Sequence, residues 1–555
     1  MENKFLLSEI QNIHNRYFSH DADGKLCVHH GKFFNLSTPV NELLAHNTAT
    51  SCNEPCIMTF FHILKDKLST LYQGFHQAIN DFCYKGNYEF TYPIKVNPNV
   101  EIMRTLQSHA NTENKRLNFE VGSKSELLSV LSMATIHNKI ICNGFKDMDF
   151  YQLANLAGKL GYQVIMVIEH IDEMAILHQF APNNTYFYIG FRIKPFLNNL
   201  HTAKFGLALT EINHAKKQVI SLGLADKLIL LHGHIGSQLQ DLADIKKQIN
   251  HLMVVYKSLL ADCPNLTSID IGGGLAANYI NSDDPCYIFD YYAKNIVGTF
   301  CYFADLYKVR HPDILTESGR AITSDASLLI IHPVYQSKHP IENEHIYNDQ
   351  MQQAWLDGTL SFEALEEMNN VCYLPTSQLY RIWYNFSVFQ SLPDHWGIAQ
   401  MFPVLPLENY NKDERMQCQI FDISCDADGI LRENTAQSDI TLPMSDVSAL
   451  AVMMIGSYQE MLSSKHNIIG KTKKIEIDFD VFNDYQVNII PAENHESLIQ
   501  QYGHNLTVLQ EMLMTCIEKE ISNNDWSLLS TIVNASPYLS THIEKDQSYE
   551  NHLAC

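Results

Sequence analysis

From residue 88 onward the chain alternates between two hydrophobic periods. Short runs rich in β-branched and aromatic residues recur at YEFTYPIKVN (88–97), RLNFEV (116–121), KIICNGF (139–145), QVIMVIEH (163–170), YFYIGFRIK (186–194), KLILLHGHIG (227–236), LTSIDIGGG (266–274) and DILTESGR (313–320). Amphipathic segments separate them. In 241–262, for example, Ile245, Ile249, Leu252, Tyr256 and Leu259 fall on one helical face. An earlier helix is read over Ile57–Ile79, where Leu64, Leu68, Leu71, Phe75 and Ile79 share a face. Strand and helix in alternation predict an α/β fold with a parallel sheet and right-handed crossovers. Eight units over about 230 residues match a closed (β/α)8 barrel, with a doubly wound open sheet as the alternative.

Outside that stretch the pattern changes. Residues 1–50 read as short strands and turns, with a turn signal in DADG (21–24). A helix pair is expected at 348–371, among aromatic, proline-spaced loops. Short alternating strands return over 416–500, as in QCQIFDISCD and KKIEIDFDVF, and 497–533 reads as helical before a polar, frayed tail. The expected division is an N-terminal part of a β domain (1–54), a barrel (55–335), a helical insertion with connecting loops (336–414), the C-terminal part of the β barrel or sandwich (415–496) and a helical tail (497–555).

Composition narrows the classes. A chain of 555 residues is too long for one core, and 46% hydrophobic with 18% charged residues is an ordinary globular balance. The net charge of −23 argues against nucleic acid as a partner and biases the chain weakly toward cationic small molecules. No apolar run reaches the roughly 18 residues that a bilayer span needs, and the polar N-terminus lacks a signal-peptide core. No membrane partner and a cytoplasmic location are therefore expected. The 13 cysteines are odd in number and scattered, as reduced thiols are, and Cys52 and Cys56 lack the partner pair that a zinc site needs. No metal ligand is assigned.

In a (β/α)8 barrel, chemistry gathers at the C-terminal ends of the strands. The eight runs end, in order, with Lys95, Glu120, Asn143, Glu169, Arg192, His234, the glycines 272–274 and Glu317. A lysine at the end of a buried strand is a Schiff-base candidate, because burial lowers its pKa and frees the amine; a barrel-mouth salt bridge is the other reading. Gly272, Gly273 and Gly274 let backbone amides close on a phosphate, or simply make a tight turn. Glu317 lies three residues before Arg320, so a carboxylate for a pyridine nitrogen and a guanidinium for a phosphate come from one short segment. His234 either lies flat on an aromatic ring or is a hydrogen-bonded core histidine.

These motifs identify the chain as similar to the pyridoxal-phosphate decarboxylases of the alanine-racemase-like barrel fold, and within them to the biosynthetic arginine decarboxylases. The matching segments run in family order from PCIMTFFHILKDKL (55–68) through YPIKVN (92–97), FEVGSKSEL (119–127), LHGHIGSQ (231–238), DIGGGL (270–275), TESGRA (316–321), NFSVFQSLPDHWGI (385–398) and CDADG (425–429) to IGSYQE (455–460). The resemblance implies pyridoxal 5'-phosphate carried as an internal aldimine on Lys95, with Glu120 and Glu126 framing its side of the site. His234 would stack on the ring, and Ser237 would touch the phosphate. Gly272, Gly273, Gly274 and Arg320 would complete the phosphate cup, with Tyr458 close by. Arg192 is grouped with these cofactor-binding residues, and Glu317 would pair with the pyridine nitrogen. Cys425 would protonate the carbon that loses CO2, and Asp426 and Asp428 would bind the cationic end of the substrate.

Because Cys425 and Asp426 enter the site from a partner subunit in this fold, the resemblance implies an active homodimer or higher homo-oligomer. It also implies arginine as substrate, agmatine as product, a place in polyamine biosynthesis and a magnesium requirement, for which no ligand cluster stands out. Four departures bear on the substrate. Pro98-Asn99 follows the lysine motif where a glutamine is usual after the asparagine, Ala399 stands where an aspartate is usual, and the loop between Arg192 and Lys204 and the insertion near 345–372 are short. They keep open a decarboxylase of ornithine, lysine or a carboxylated polyamine. A non-catalytic regulatory paralogue and a racemase on the same barrel are the remaining alternatives.

Overall fold

The computed structural model describes residues 16–31, 34–47, 54–195, 204–239, 241–279, 288–340, 357, 378–411, 413–432, 439–480, 484–508, 511 and 523–539. The chain divides into two compact units. One comprises Phe60–Ser327 and the returning segment Met454–Met461; the other comprises Met1–Thr59, Leu328–Met453 and Leu462–Cys555.

The first unit is a closed barrel of parallel strands. Its strands are β1 (Tyr88–Pro93), β2 (Leu117–Val121), β3 (Lys139–Cys142), β4 (Gln163–Ile168), β5 (Phe187–Arg192), β6 (Leu228–His232), β7 (Ser268–Asp270) and β8 (Asp313–Thr316). They pair in chain order, and β8 closes on β1 through Ile314–Tyr88, Leu315–Glu89 and Thr316–Phe90. All eight correspond to the runs read from the sequence, and the open-sheet alternative is excluded by the β8–β1 pairing. The barrel interior is filled by Ile141, Ile165, Val167, Leu230 and Leu315. A packed interior leaves room for a ligand only at a barrel end.

The outer helices bury the stripes that the periodicity marks. Ile245, Ile249, Leu252, Tyr256 and Leu259 of the helix Leu242–Leu260 are all buried. Helix starts are set locally. Asn99 accepts the Glu101 N–H at 2.8 Å, and Asp147 accepts the Phe150 N–H at 2.9 Å, each satisfying a donor that the first turn leaves open. One boundary differs from expectation. Cys56–Phe60 is a strand, and the helix starts only at Phe61. The run Cys-Ile-Met-Thr-Phe is buried throughout, between the strands Ser327–Ile331 and Lys473–Phe479. Period alone does not separate such a run from a buried helix.

The second unit is mostly β. A six-stranded sheet runs Val404–Pro406, Leu450–Val452, Ser327–Ile331, Cys56–Phe60, Lys473–Phe479 and Tyr485–Ile490. A second sheet contains Pro333–Pro340, Gln378–Tyr384, Met416–Phe421 and Ile430–Leu431, with Asp439–Leu442 also paired to Met416–Phe421. Three N-terminal strands, Phe18–His20, Leu26–His30 and Leu36–Pro39, form a third. The DADG turn is present between the first two of these. Asp21 Oδ1 accepts the N–H groups of Asp23 and Lys25, and Gly24 takes φ +76°.

Two expectations for this unit need correction. Val40–Asn47 is a helix within the region read as strands. Parts of the segment 336–414 read as helical insertion and loops are strands: Pro333–Pro340, which crosses its start, pairs antiparallel with Gln378–Tyr384; the latter, QLYRIWY, is rich in β-favouring residues. The expected helix pair at 348–371, the trimmed loop at 196–203 and the tail beyond residue 539 lie outside the described residues. Helices are present at His495–Gln500 and Asn523–Asn534. No helix among the described residues is long and apolar enough to cross a membrane.

Candidate active site

The C-terminal ends of the barrel strands surround a cavity. Lys95, Glu120, Asn143, Arg192, His232, His234, Ser237, Gly273, Gly274, Glu317, Arg320 and Tyr458 line it. The barrel register brings these residues together from seven different strand ends and from the returning segment.

Lys95 lies one turn beyond β1, in the short 3₁₀ segment Ile94–Val96. Its Nζ donates to Glu120 Oε2 at 2.6 Å, and Glu120 Oε1 accepts from Asn143 Nδ2 at 3.1 Å. The expectation that burial would free this amine is overturned. Burial does pull the lysine downward, but the charges of Glu120 and Glu317 outweigh it and hold the ammonium above its ordinary range. Lys95 is thus both a salt-bridge partner and a member of the cavity, so the two readings of its position were not exclusive.

A second ion pair stands beside the first. Arg192 Nη1 donates to Glu169 Oε1 at 2.8 Å, and the same oxygen accepts the Gly144 N–H at 2.9 Å. Burial works against the Glu169 carboxylate, yet Arg192 and then Lys146 hold it below the usual range.

β6 and the loop after it present two histidines. His232 ends the strand and His234 follows two residues later. His234 Nδ1 accepts the Gly273 N–H at 3.2 Å. Burial drives His234 down to about 4, so the ring is neutral near pH 7. Gly272 is required at its position: it has φ +69°, and a Cβ there would lie 2.5 Å from His234 Nδ1. The glycine run thus lets backbone amides approach the cavity beside the imidazole. On the other side, the Arg320 guanidinium lies 4.4 Å from the centre of the Tyr458 ring, and its Nη1 donates to Tyr279 Oη at 3.2 Å. Tyr458 sits at φ +67°, and its N–H donates to Val96 O at 2.7 Å, which ties the returning segment to the Lys95 turn.

The residues present fit a phosphorylated aromatic aldehyde. One lysine, a neutral flat ring, a buried carboxylate and a glycine–arginine end converge on one volume. Two of the residues expected at the cofactor stand apart from the lining. Glu126 turns back on its own helix start, where its Oε2 accepts the Gly122 N–H at 2.5 Å, and Gly272 lies behind His234. Its place three residues after the cap Ser123 explains Glu126, since a glutamate there reaches the chain before the helix.

Cys425, Asp426 and Asp428 belong to the other unit, in the turn between Met416–Phe421 and Ile430–Leu431. Asn467 holds the cysteine at both ends: its Oδ1 accepts the Cys425 N–H at 3.0 Å and its Nδ2 donates to Cys425 Sγ at 3.0 Å. Asp426 Oδ2 lies 3.3 Å from His466 Nε2, and Asp428 Oδ1 lies 4.0 Å from Arg432.

His232 and Asp270 were not singled out in the sequence. The signal was present, since His232 and His234 are two apart at a strand exit and Asp270 directly precedes the glycine run. Two groups among the described residues bring three ligand-type atoms close together, Cys301–Asp305–His311 and His232–Asp270–Glu317. Neither is the all-oxygen set that magnesium favours.

Residues 68–324 match the family model described as pyridoxal-dependent decarboxylase, pyridoxal binding domain. The chain is 30% identical over 526 residues to a biosynthetic arginine decarboxylase of Photorhabdus laumondii, covering 80% of this chain and 82% of that protein. It is 28% identical over 610 residues to a biosynthetic arginine decarboxylase of Prochlorococcus marinus, covering 94% and 93%. In fold it is similar to the crystal structure of a biosynthetic arginine decarboxylase from Campylobacter jejuni, with a TM-score of 0.83 at 24% identity over 98% of this chain and 99% of that one.

Proposed function

Since this chain belongs to the pyridoxal-dependent decarboxylases, we propose that it removes CO2 from arginine to give agmatine, with Lys95 as the residue that carries the cofactor. The observation that supports this most is the convergence of Lys95, His234, Glu317 and Arg320 on one cavity at the barrel mouth. The names of the relatives supply the substrate.

Pyridoxal phosphate, when bound, supplies an electron sink for the pair left behind as CO2 departs. The rest is the work of the chain. Lys95 Nζ supplies the amine, and Glu120 Oε2 is the base positioned to hold or take its proton. Arg320, Ser237 and the backbone amides of Gly273 and Gly274 would hold the phosphate. Neutral His234 would cover one face of the ring without adding charge, and Glu317 would keep the ring nitrogen protonated. Cys425 would return a proton to the α-carbon. Asp426 and Asp428 would read the guanidinium, whose planar fork suits carboxylates. Cys425 and Asp426 would come from the partner subunit of a homodimer.

The reading includes a cytoplasmic setting, where the free thiols of the described cysteines would stay reduced. It also includes a magnesium requirement, which assays with and without chelator decide.

Release of CO2 from arginine, ornithine and lysine, measured side by side with product mass, tests the proposal. Arginine should be the preferred substrate and agmatine the product. The second reading, another basic amino acid, is favoured by Ala399, which ends the helix Pro393–Ile398 at φ +54° where the aspartate is missing; turnover of ornithine or lysine with none of arginine would establish it. Lys95→Ala should abolish both turnover and the visible absorbance of bound cofactor. A wild-type protein that binds no pyridoxal phosphate would sink the proposal. Unchanged turnover and product in Cys425→Ala would remove the proton-donor role.

A further inference from the structure

Three neighbouring strand ends meet under the cavity. His232 ends β6, Asp270 ends β7 and pairs with it in register, and Glu317 follows β8. The Glu317 N–H donates to Gly272 O at 2.8 Å, which holds the third group at the level of the other two. One polar atom from each side chain lies within 4.8 Å of the others, and all three residues are buried. Asp270 Oδ1 accepts the Gly272 N–H at 2.8 Å. Among the described residues, its Oδ2, Glu317 Oε1 and both ring nitrogens of His232 have no hydrogen-bond partner. Buried polar atoms are rarely left so, and four in one cluster point to a shared proton.

The charge balance around the cavity points the same way. Lys95 is matched by Glu120 and Arg192 by Glu169. Arg320 lies over Tyr458. Among the described residues, neither Asp270 nor Glu317 has a lysine or arginine at ion-pair distance; Glu317 has only His232, at 3.3 Å. Two adjacent buried carboxylates do not both ionise without a cation. Burial, then the charge of Glu317, pushes the Asp270 carboxyl well above its ordinary range, and burial pushes His232 down to about 3. Glu120 and Lys95 also face Asp270, as do the phenols of Tyr88 and Tyr292.

We infer that Asp270 works as a neutral carboxylic acid that donates its Oδ2 proton to Glu317 Oε1, a positioning residue that keeps Glu317 ionised with its other oxygen free for the cofactor. The inference rests on the proposed pairing of Glu317 with the ring nitrogen. With His232 neutral, the trio then carries one negative charge, which matches the one positive charge of a protonated pyridine. An ionised Asp270 would add a second, unmatched charge.

Infrared difference spectroscopy on protein without cofactor tests the proton directly. At neutral pH the wild type should show the carbonyl band of a protonated carboxylic acid, shifted in D2O, absent in Asp270→Asn and retained in Glu317→Gln. In loaded protein, Asp270→Asn keeps a donor and should bind pyridoxal phosphate like the wild type. Asp270→Leu loses the donor and should weaken binding by about tenfold and shift the pH titration of the visible absorbance. No Asp270-dependent acid band alongside intact cofactor binding would overturn this inference alone. So would a divalent cation found on the trio, since it needs both carboxylates ionised, or an Asp270→Leu titration that follows the wild type. An acid band in a protein that binds no cofactor would overturn the reading of the site and, with it, the steering role. The infrared arm uses near-isosteric variants, so it decides even where Asp270→Leu does not fold.

Discussion

At the scale of single residues, the site is a set of charges placed so that each has a use. Lys95 is held charged by Glu120, Arg192 pairs with Glu169, and the two cavity histidines are held neutral by burial. The histidines make stability depend on pH. An unfolded histidine takes up a proton near 6.5, but His234 resists until about 4 and His232 until about 3. Between these values the unfolded chain binds more protons than the folded one. Their contribution is therefore intact above about pH 6.5 and is lost as pH falls toward about 4, at up to about 1.4 kcal/mol per pH unit and histidine. Urea midpoints should fall across that window, and His234→Gln should flatten the slope by about one proton. Equal slopes in the two proteins would show that His234 is not a buried neutral group.

At the scale of elements, the barrel strands and outer helices follow from periodicity. Leu252 is fully buried on the inner face of Leu242–Leu260, so Leu252→Ala should cost about 2–5 kcal/mol in denaturant unfolding. Lys246→Ala on the same helix is the control, exposed to solvent, and should stay within about 0.5 kcal/mol. All eight barrel strands were legible because each is a short β-rich run between helical stripes. What period did not reveal was Cys56–Phe60, a buried strand that runs straight into a helix, and Val40–Asn47, a helix among strands. Both are too short, or too uniformly buried, for one period to win over the other.

At the scale of the whole molecule, the chain leaves the barrel unit after Ser327 and returns to it for Met454–Met461 alone. That return brings in Tyr458, beside Arg320. The homodimer proposed for this enzyme makes a separate prediction. Mixing inactive Lys95→Ala and Cys425→Ala subunits should restore about a quarter of wild-type turnover, because half of randomly mixed dimers then hold one site with both residues intact. Mixed species that are isolated as heterodimers and remain inactive would place Lys95 and Cys425 of one functional site on the same subunit.

The sequence by itself determined the barrel, the order of its strands and most of the groups at its mouth, because strand period and exit residues are local properties. Its motifs were enough to point to the family. Only the tertiary structure decided how those groups act on one another. Lys95 reads as either a freed amine or a salt-bridge partner until Glu120 is seen 2.6 Å away. Glu126 reads as a cofactor contact until its carboxylate is seen on Gly122. His232 and Asp270 draw no notice in the sequence until the register sets them beside Glu317. A charge takes its meaning from what surrounds it, and residues far apart in the chain become its surroundings only when the barrel closes.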